Sequence, residues 1–270
     1  MSPEVPQNLK ELDIAKLAGF GIDSELRITP FFNGSGILFS VGENNMQVEK
    51  AVLRARKIAL VISGPSSAGK DSIVDGLVKK YGEVFERVKT CTTRQEIRPD
   101  EIEDPYIRMT ASEFSAAVKR GEFLEHAPYA GEQVGTNRKV VEAALEGGKI
   151  PIFRVDPQGA KSLVEFWQKG DPLFKDCVVI YLSVVPESWW QLARRLLKRD
   201  VFDKAKDNRQ QAREKVRTRW DQIKEDVGRM SSAHLFLINK KDRLNESVEE
   251  VKRLIDHYKN KLKDRKKLKL

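Results

Sequence analysis

The chain has 270 residues, of which 40% are apolar and 33% charged, and its formal net charge is +9. That length suffices for one large α/β domain or two small ones with a full core, and no apolar run approaches the length of a membrane span. Two cysteines, Cys91 and Cys177, are too few and too far apart for a disulfide framework or a zinc site and fit a reducing cytoplasm, and the opening MSPEVPQNLKEL does not read as a signal peptide.

In chain order, Leu9–Leu17 has helical spacing of its apolar residues. Leu26–Phe32 and Ile37–Val41 read as two strands joined by a turn at Asn33-Gly34-Ser35-Gly36, and Val48–Arg56 as a short basic amphipathic helix. Residues 1–56 carry no chemical motif and read as an accessory or oligomerisation segment. From Lys57 onward buried strands alternate with helices. IALVIS at 58–63 is a continuous apolar run that ends in a Gly-rich turn, Asp71–Tyr81 is helical, and ERVKTC at 86–91 reads as one strand. Ser112–Arg120 and Arg138–Glu146 are helices on either side of a mixed stretch. PIFRV at 151–155, VVIYLS at 178–183 and LFLIN at 235–239 are strand-type runs. Gln158–Gln168, Glu187–Lys198, Arg209–Val227 and Glu246–Lys263 read as helices. This alternation predicts an α/β fold, a mostly parallel sheet covered on both faces, with its ligand site at the carboxyl ends of the strands. The tail, residues 259–270, is strongly basic. It reads as a solvated helix end, with an anionic partner such as nucleic acid or lipid as the alternative.

Between the first buried strand and its helix lies Gly64-Pro65-Ser66-Ser67-Ala68-Gly69-Lys70, which fits G-x-x-x-x-G-K. The glycines let the backbone curl so that successive N–H groups face one anion. The helix that follows aims its positive end at the same point. Lys70 adds a full charge near the β- and γ-phosphates of a nucleotide. The next position normally carries Ser or Thr, whose hydroxyl meets Mg²⁺. Here it is Asp71, and the hydroxyl comes one residue later at Ser72. The metal is then held by the acid through water, by Ser72, or mainly by the phosphates.

The downstream residues resemble guanylate kinase over about Lys57 to Tyr258. GPSSAGKDS is similar to that family's loop, Thr92-Thr93-Arg94 to its T-T-R, and Arg98-Pro99-Asp100-Glu101 to its R-P-G-E. Gly121-Glu122-Phe123-Leu124-Glu125 matches G-E-F-L-E, Gly135-Thr136 a later G-T or G-S, and Asp156, Gln158 and Gly159 match D-x-Q-G. The resemblance implies a P-loop NTPase sheet flanked by helices over 57–258, with a nucleotide-monophosphate-binding insertion at about 92–150. It also implies a helical lid at about 195–219, besides the small N-terminal extension. It implies ATP with Mg²⁺ as donor and GMP or dGMP as acceptor, in a cytoplasmic monomer or homodimer.

By the same resemblance, residues 64–72 and Asn239 hold ATP, with Pro65, Ser66, Ser67 and Ala68 lining the loop between its glycines. Thr90, Arg94, Arg98 and Tyr106 hold the acceptor's phosphate. Lys70, Arg94, Arg195, Arg199 and Arg219 neutralise the transferring group, which suits phosphoryl transfer because its catalysis is mostly positioning and charge neutralisation. Glu125 and Thr136 read the guanine, whose N1–H and 2-amino group sit side by side as donors to a carboxylate, and Asp156 accepts from the base or positions the acceptor's arginines.

Three positions depart from the family pattern: Val134 replaces a phosphate-binding tyrosine, Arg154 replaces an acid two residues before Asp156, and Arg98 is displaced by one residue. The run Gly69-Lys70-Asp71-Ser72 is also similar to ribose 1,5-bisphosphate phosphokinase. The rival readings are that kinase, a guanylate-kinase-like binding module without catalysis, and a nucleic-acid binder using the basic tail.

Overall fold

The computed structural model describes residues 28–32, 37–97, 104–129, 131–197, 217–218, 221, 223, 225–226 and 228–268. The Leu9–Leu17 helix, the turn at 33–36, and Arg98, Arg199 and Arg219 lie outside them, as does most of Arg209–Val227.

The main sheet has seven strands. Its centre is β3 (Lys57–Ser63), with β10 (Cys177–Pro186) and β11 (Leu235–Asn239) on one side, and β9 (Ile150–Arg154) and β4 (Phe85–Arg87) on the other. These five strands are mutually parallel. Every residue of β10 and β11 is buried, and in β3 only Lys57 is exposed. That is why these segments read as unbroken apolar runs: a strand covered on both faces has no solvent side to alternate with. Helix α2 (Lys70–Tyr81) follows β3, and α5 (Pro157–Gln168) follows β9. Helix α5 packs on β3 and β10, and α2 on β3, β9 and the last helix, α7 (Leu244–Leu268). The basic tail thus continues α7 through Leu268.

The described part of the N-terminal segment extends this same sheet. Strands β1 (Ile28–Pro30) and β2 (Leu38–Val41) form an antiparallel pair, and β2 joins β11 antiparallel with Phe39 opposite Phe236. Leu38 and Val41, with Val48 and Val52 of α1 (Gly42–Val52), are fully buried in the same core as β3 and β10. The helix begins six residues before the predicted Val48, because the polar GENNMQ turn hides its periodicity. Its Asn44 side chain donates to the carbonyls of Ser231 and Ala233, at 2.8 and 3.0 Å.

A second sheet of four strands stands beside the first, in the order β6 (Tyr106–Arg108), β5 (Thr90–Thr92), β8 (Glu132–Asn137), β7 (Phe123–Tyr129). Helix α3 (Ala111–Lys119) covers it, with Phe114 stacked on Phe123 at 4.5 Å between ring centroids. Thr110 starts that helix with a capping box: its hydroxyl accepts from Glu113 N at 3.2 Å, and the Glu113 carboxylate accepts from Thr110 N at 2.7 Å.

One expected strand is divided. Residues 86–91 split into β4, which pairs with β9 in the main sheet, and β5, which pairs with β6 and β8 in the second. The chain crosses at Val88-Lys89: Val88 N still donates to Ile152 O in the main sheet, whereas Thr90 N donates to Pro105 O beside the second. A continuous apolar pattern says that a segment is extended, not which neighbours it takes. Helix α4 (Arg138–Glu146) and helix α6 (Trp189–Leu197) fall within or on their predicted bounds.

Candidate active site

The carboxyl ends of β3, β9, β10 and β11 meet at the loop 64–69. Gly64 has φ +132°, and a Cβ there would lie 2.1 Å from the backbone oxygen of Val184. Gly69 has φ +97°, and its Cβ would meet the Asn239 amide nitrogen at 2.2 Å. Both glycines are therefore required by close approach as well as by conformation. Gly64→Ala should cost about 3 kcal/mol or more of folding stability, because the obstructing atom is backbone of a central strand and cannot move aside. Urea unfolding measures this; a loss below about 1 kcal/mol would contradict the packing described.

Lys70 is 9% exposed, and its Nζ donates to the carbonyls of Gly64 at 2.6 Å and Pro65 at 2.9 Å. Burial and the neighbouring Arg154 guanidinium lower its pKa to about 8, against the opposing charges of Asp71, Asp226 and Asp156. Asn239, at the end of β11, donates to Ala68 O at 2.9 Å and accepts from the Ser247 hydroxyl at 3.3 Å. Its amide thus fixes the loop. Arg195 of α6 reaches the same wall, donating to Ala68 O at 3.3 Å, and its burial lowers its pKa.

Asp71, directly after the lysine, is held by two arginines. Arg154 Nη2 lies 2.5 Å from one carboxylate oxygen and Arg87 Nη2 lies 2.8 Å from the other, while Arg87 Nη1 also pairs with Asp75 at 2.7 Å. Burial alone would raise the Asp71 pKa, but Arg154 and Arg87 outweigh it and hold the carboxyl well below the usual range. Ser72 is exposed on the next position of α2. The resemblance implies a magnesium ion near these residues. A side-chain-held cation here would compete with two guanidinium groups for the Asp71 oxygens, and the family's acidic position is Arg154. The residues present do not fit a magnesium ion held by Asp71 and residue 154.

The second sheet carries the remaining candidate residues. Thr90 and Tyr106 are register partners on β5 and β6. The Arg94 guanidinium lies 5.1 Å from the centre of the Tyr106 ring, with Arg108 at 6.0 Å. Arg108 fixes the loop that carries Arg94: it donates to Arg94 O at 2.6 Å and Glu96 O at 3.0 Å, and pairs with Asp104 at 2.8 Å. Val134 stands opposite Thr92 in register.

Glu125 and Thr136 are partners on β7 and β8, and the threonine hydroxyl donates to Glu125 Oε1 at 2.5 Å. Asp156 caps α5 by accepting from Gly159 N at 2.7 Å. The cap brings backbone against Glu125: a Cβ on Gly159 would lie 3.1 Å from the carboxyl carbon. Burial raises the Glu125 pKa to about 7; the Asp156 charge adds to that rise and the Thr136 hydrogen bond opposes it.

The fold thus groups Lys70, Asp71, Arg195 and Asn239 at the loop, Thr90, Arg94 and Tyr106 at one edge of the second sheet, and Glu125, Thr136 and Asp156 at its other edge. Arg87, Arg108 and Asp226 were not anticipated. Asp226 is buried and supports the Lys70 charge. The signal for Arg87 was the pair Asp71 and Asp75, one helical turn apart on α2, which presents two carboxylates to a single cation.

Known proteins give the same grouping a context. The guanylate kinase family model matches residues 56–258. The chain is similar to the guanylate kinase of Thermotoga maritima, with 36% identity over 145 residues, covering 54% of this chain and 65% of the relative. It is 28% identical to that of Clostridium perfringens over 201 residues, 74% of this chain and 83% of the relative. It is 32% identical to that of Cereibacter sphaeroides, covering 68% of this chain and 80% of the relative. Its fold matches the crystal structure of guanylate kinase from Anaplasma phagocytophilum with a TM-score of 0.51 and 17% identity, over 76% of this chain and 88% of that one.

Proposed function

Because this chain belongs to the guanylate kinase family, we propose that it transfers the γ-phosphoryl group of ATP to GMP, giving ADP and GDP. The observation that carries the proposal is the Glu125–Thr136 pair, joined at 2.5 Å, in a chain whose phosphate loop keeps both glycines and Lys70. A carboxylate accepts hydrogen bonds and donates none once ionised, so it matches the N1–H and 2-amino edge of guanine and repels the bare N1 of adenine. A sugar phosphate has no use for either residue.

In this reading the loop N–H groups, Lys70 and the positive end of α2 grip the ATP phosphates. Arg94, Tyr106 and Thr90 hold the GMP phosphate, joined by Arg98; Arg suits this because its planar fork meets two phosphate oxygens at once. Arg195, with Arg199 and Arg219, neutralises the transferring group and excludes water, which otherwise would take the phosphoryl group. Asn239 holds the loop under the donor nucleotide. Magnesium, where it takes part, supplies further charge neutralisation on the phosphates. Both cysteines are free and buried, which suits a reducing cytoplasm as the place of work.

A coupled ADP-release assay over GMP, dGMP, AMP, UMP, CMP and ribose 1,5-bisphosphate tests this. Guanine nucleotides should exceed AMP in kcat/KM by about 10³-fold or more, as expected of a site built on hydrogen bonds to one base edge. Absence of turnover with GMP and dGMP would refute the proposal, and turnover with the sugar phosphate alone would reassign the acceptor.

A further inference from the structure

We infer that Arg108 is a positioning residue for the acceptor's phosphate. It sets the segment that carries Arg94 in its binding shape before an acceptor arrives, and its loss weakens the grip on the phosphate while leaving the reading of the base intact. The inference rests on the reading of the second sheet as the GMP site.

The sheet register decides where Arg108 stands. Arg108 on β6 is opposite Thr92 on β5, Thr92 is opposite Val134 on β8, and Val134 is opposite Ala127 on β7. Register partners share a face of the sheet, and so do residues two apart on one strand. Arg108 therefore shares its face with Thr90, Tyr106, Thr136 and Glu125. Helix α3 covers the other face, where the Phe114 ring lies 6.4 Å from that of His126.

The pair Thr92 and Arg108 takes hold of the Arg94 backbone from both sides. Arg94 N donates to the Thr92 hydroxyl oxygen at 3.2 Å, and Arg94 O accepts from Arg108 Nη1 at 2.6 Å. The same Nη1 donates to Glu96 O at 3.0 Å, while Nε and Nη2 grip the Asp104 carboxylate at 3.2 and 2.8 Å. One side chain thus ties the chain together at residues 94, 96 and 104. A planar fork reaches these acceptors in their different directions; a lysine ammonium is a single point. The neighbours are tied as well. Gln95 donates to Thr93 O at 3.0 Å and Met109 O at 2.9 Å. The Thr93 hydroxyl donates to Glu132 at 2.7 Å and accepts from Gln133 N at 2.8 Å.

A segment that carries a binding residue is otherwise ordered at the ligand's expense. Here that cost is met within the fold. The Arg108 side chain is 15% exposed, and Asp104 offsets the charge it buries, so Arg108 contributes geometry more than field. Both guanidinium groups face the Tyr106 ring, Arg94 at 5.1 Å from its centre and Arg108 at 6.0 Å. Val134, in the same row as Arg108, offers no hydrogen-bonding side chain, so this edge of the site depends the more on where Arg94 stands.

Steady-state kinetics of the full chain test this, with guanosine as a competitor that carries the base and lacks the phosphate. Arg108→Met removes the fork. Arg108→Lys keeps the charge and the apolar stem, and decides by itself if the methionine variant does not fold. In both variants we expect KM for GMP to rise by about tenfold or more, as a small misplacement of a positioning group can cost. The KM for ATP and the inhibition constant of guanosine should stay within about twofold. A rise in KM for GMP below about threefold overturns the inference. So does a guanosine constant that rises in step with it, because a sheet loosened as a whole would lose Glu125 and Thr136 together with Arg94. Either result beside wild-type turnover of GMP leaves the acceptor assignment standing. A wild type without GMP turnover overturns that assignment and this inference together.

Discussion

Lys70→Ala should lower kcat for phosphoryl transfer by about 10³-fold or more while leaving the chain folded. The size follows from what the ammonium does. Charge develops on the transferring phosphoryl group in a site screened from water, where one positioned cation outweighs several solvated ones. No neighbour replaces it, because Arg154 and Arg87 are committed to Asp71 at 2.5 and 2.8 Å. The effect on stability has the opposite sign. The folded state lowers the Lys70 pKa from 10.5 to about 8, so the native chain holds this proton less tightly than the unfolded chain does. Stability therefore rises as pH climbs through the window from about 8 to 10.5, and charged Lys70 costs at most about 3 kcal/mol below it. Alanine removes that cost together with two hydrogen bonds to loop carbonyls. The variant should melt near or above the wild type at neutral pH, and should lack the alkaline rise. Thermal melts by circular dichroism beside the ADP-release assay check both halves; unchanged turnover would refute the role of the loop.

The loop was legible in the sequence because everything that makes it is contiguous. A buried strand, two glycines, a lysine and a helix follow one another within residues 57–81, and no distant partner is needed to recognise them. The central strands were legible for a related reason: burial on both faces leaves a run with no polar interruption, as in β10 and β11. Pairing was not legible. Residues 86–91 carry one extended pattern but serve two sheets, and β2 takes β11 as its neighbour across nearly two hundred residues of chain. The stretch between α3 and α4 read as mixed because β7 and β8 belong to a separate sheet and leave polar residues partly exposed along their length. Glu125 and Thr136 are opposite each other only once that hairpin is closed.

The charged network shows the same division. Asp71 and Arg154 each stood out in the sequence as a departure, yet nothing local says that they compensate one another. Their contact spans 83 residues and depends on the parallel pairing of β3 with β9. Arg87 is fixed by the same pairing one strand further out. Arg108 likewise depends on β6 lying beside β5, which brings it under Arg94. Motifs report which chemistry is present; the sheet order decides which charges meet.

Glu125→Gln should remove guanine selection and stabilise the fold at the same time. The glutamate carboxyl packs against Gly159 and accepts from the Thr136 hydroxyl. Its pKa is raised from 4.5 to about 7, with burial as the leading cause. Guanine needs the ionised form, so kcat/KM for GMP should fall about tenfold per unit of pH below about 7 and level off above it, reporting the free enzyme's group. The amide cannot ionise and turns a donor toward the guanine donors. Losing two charge-assisted bonds costs about 3–4 kcal/mol, a drop of some 10²–10³-fold in kcat/KM for GMP, with the KM for ATP unchanged. The stability sign follows from the same shift. A raised carboxyl pKa means that the native state binds the proton more tightly than the unfolded one. Its contribution is fully present below about pH 4.5 and is lost as pH rises through about 7. Glutamine does not carry that loss, so the variant should be the more stable form above about pH 7, by at most about 3 kcal/mol, and the difference should vanish in acid. Kinetics with GMP and with varied ATP, each across the neutral range, and melts at the same pH values test the pair of effects. Equal losses for both substrates would refute the base-reading role. A GMP profile that keeps its slope below pH 7 in the variant would assign that titration to another group.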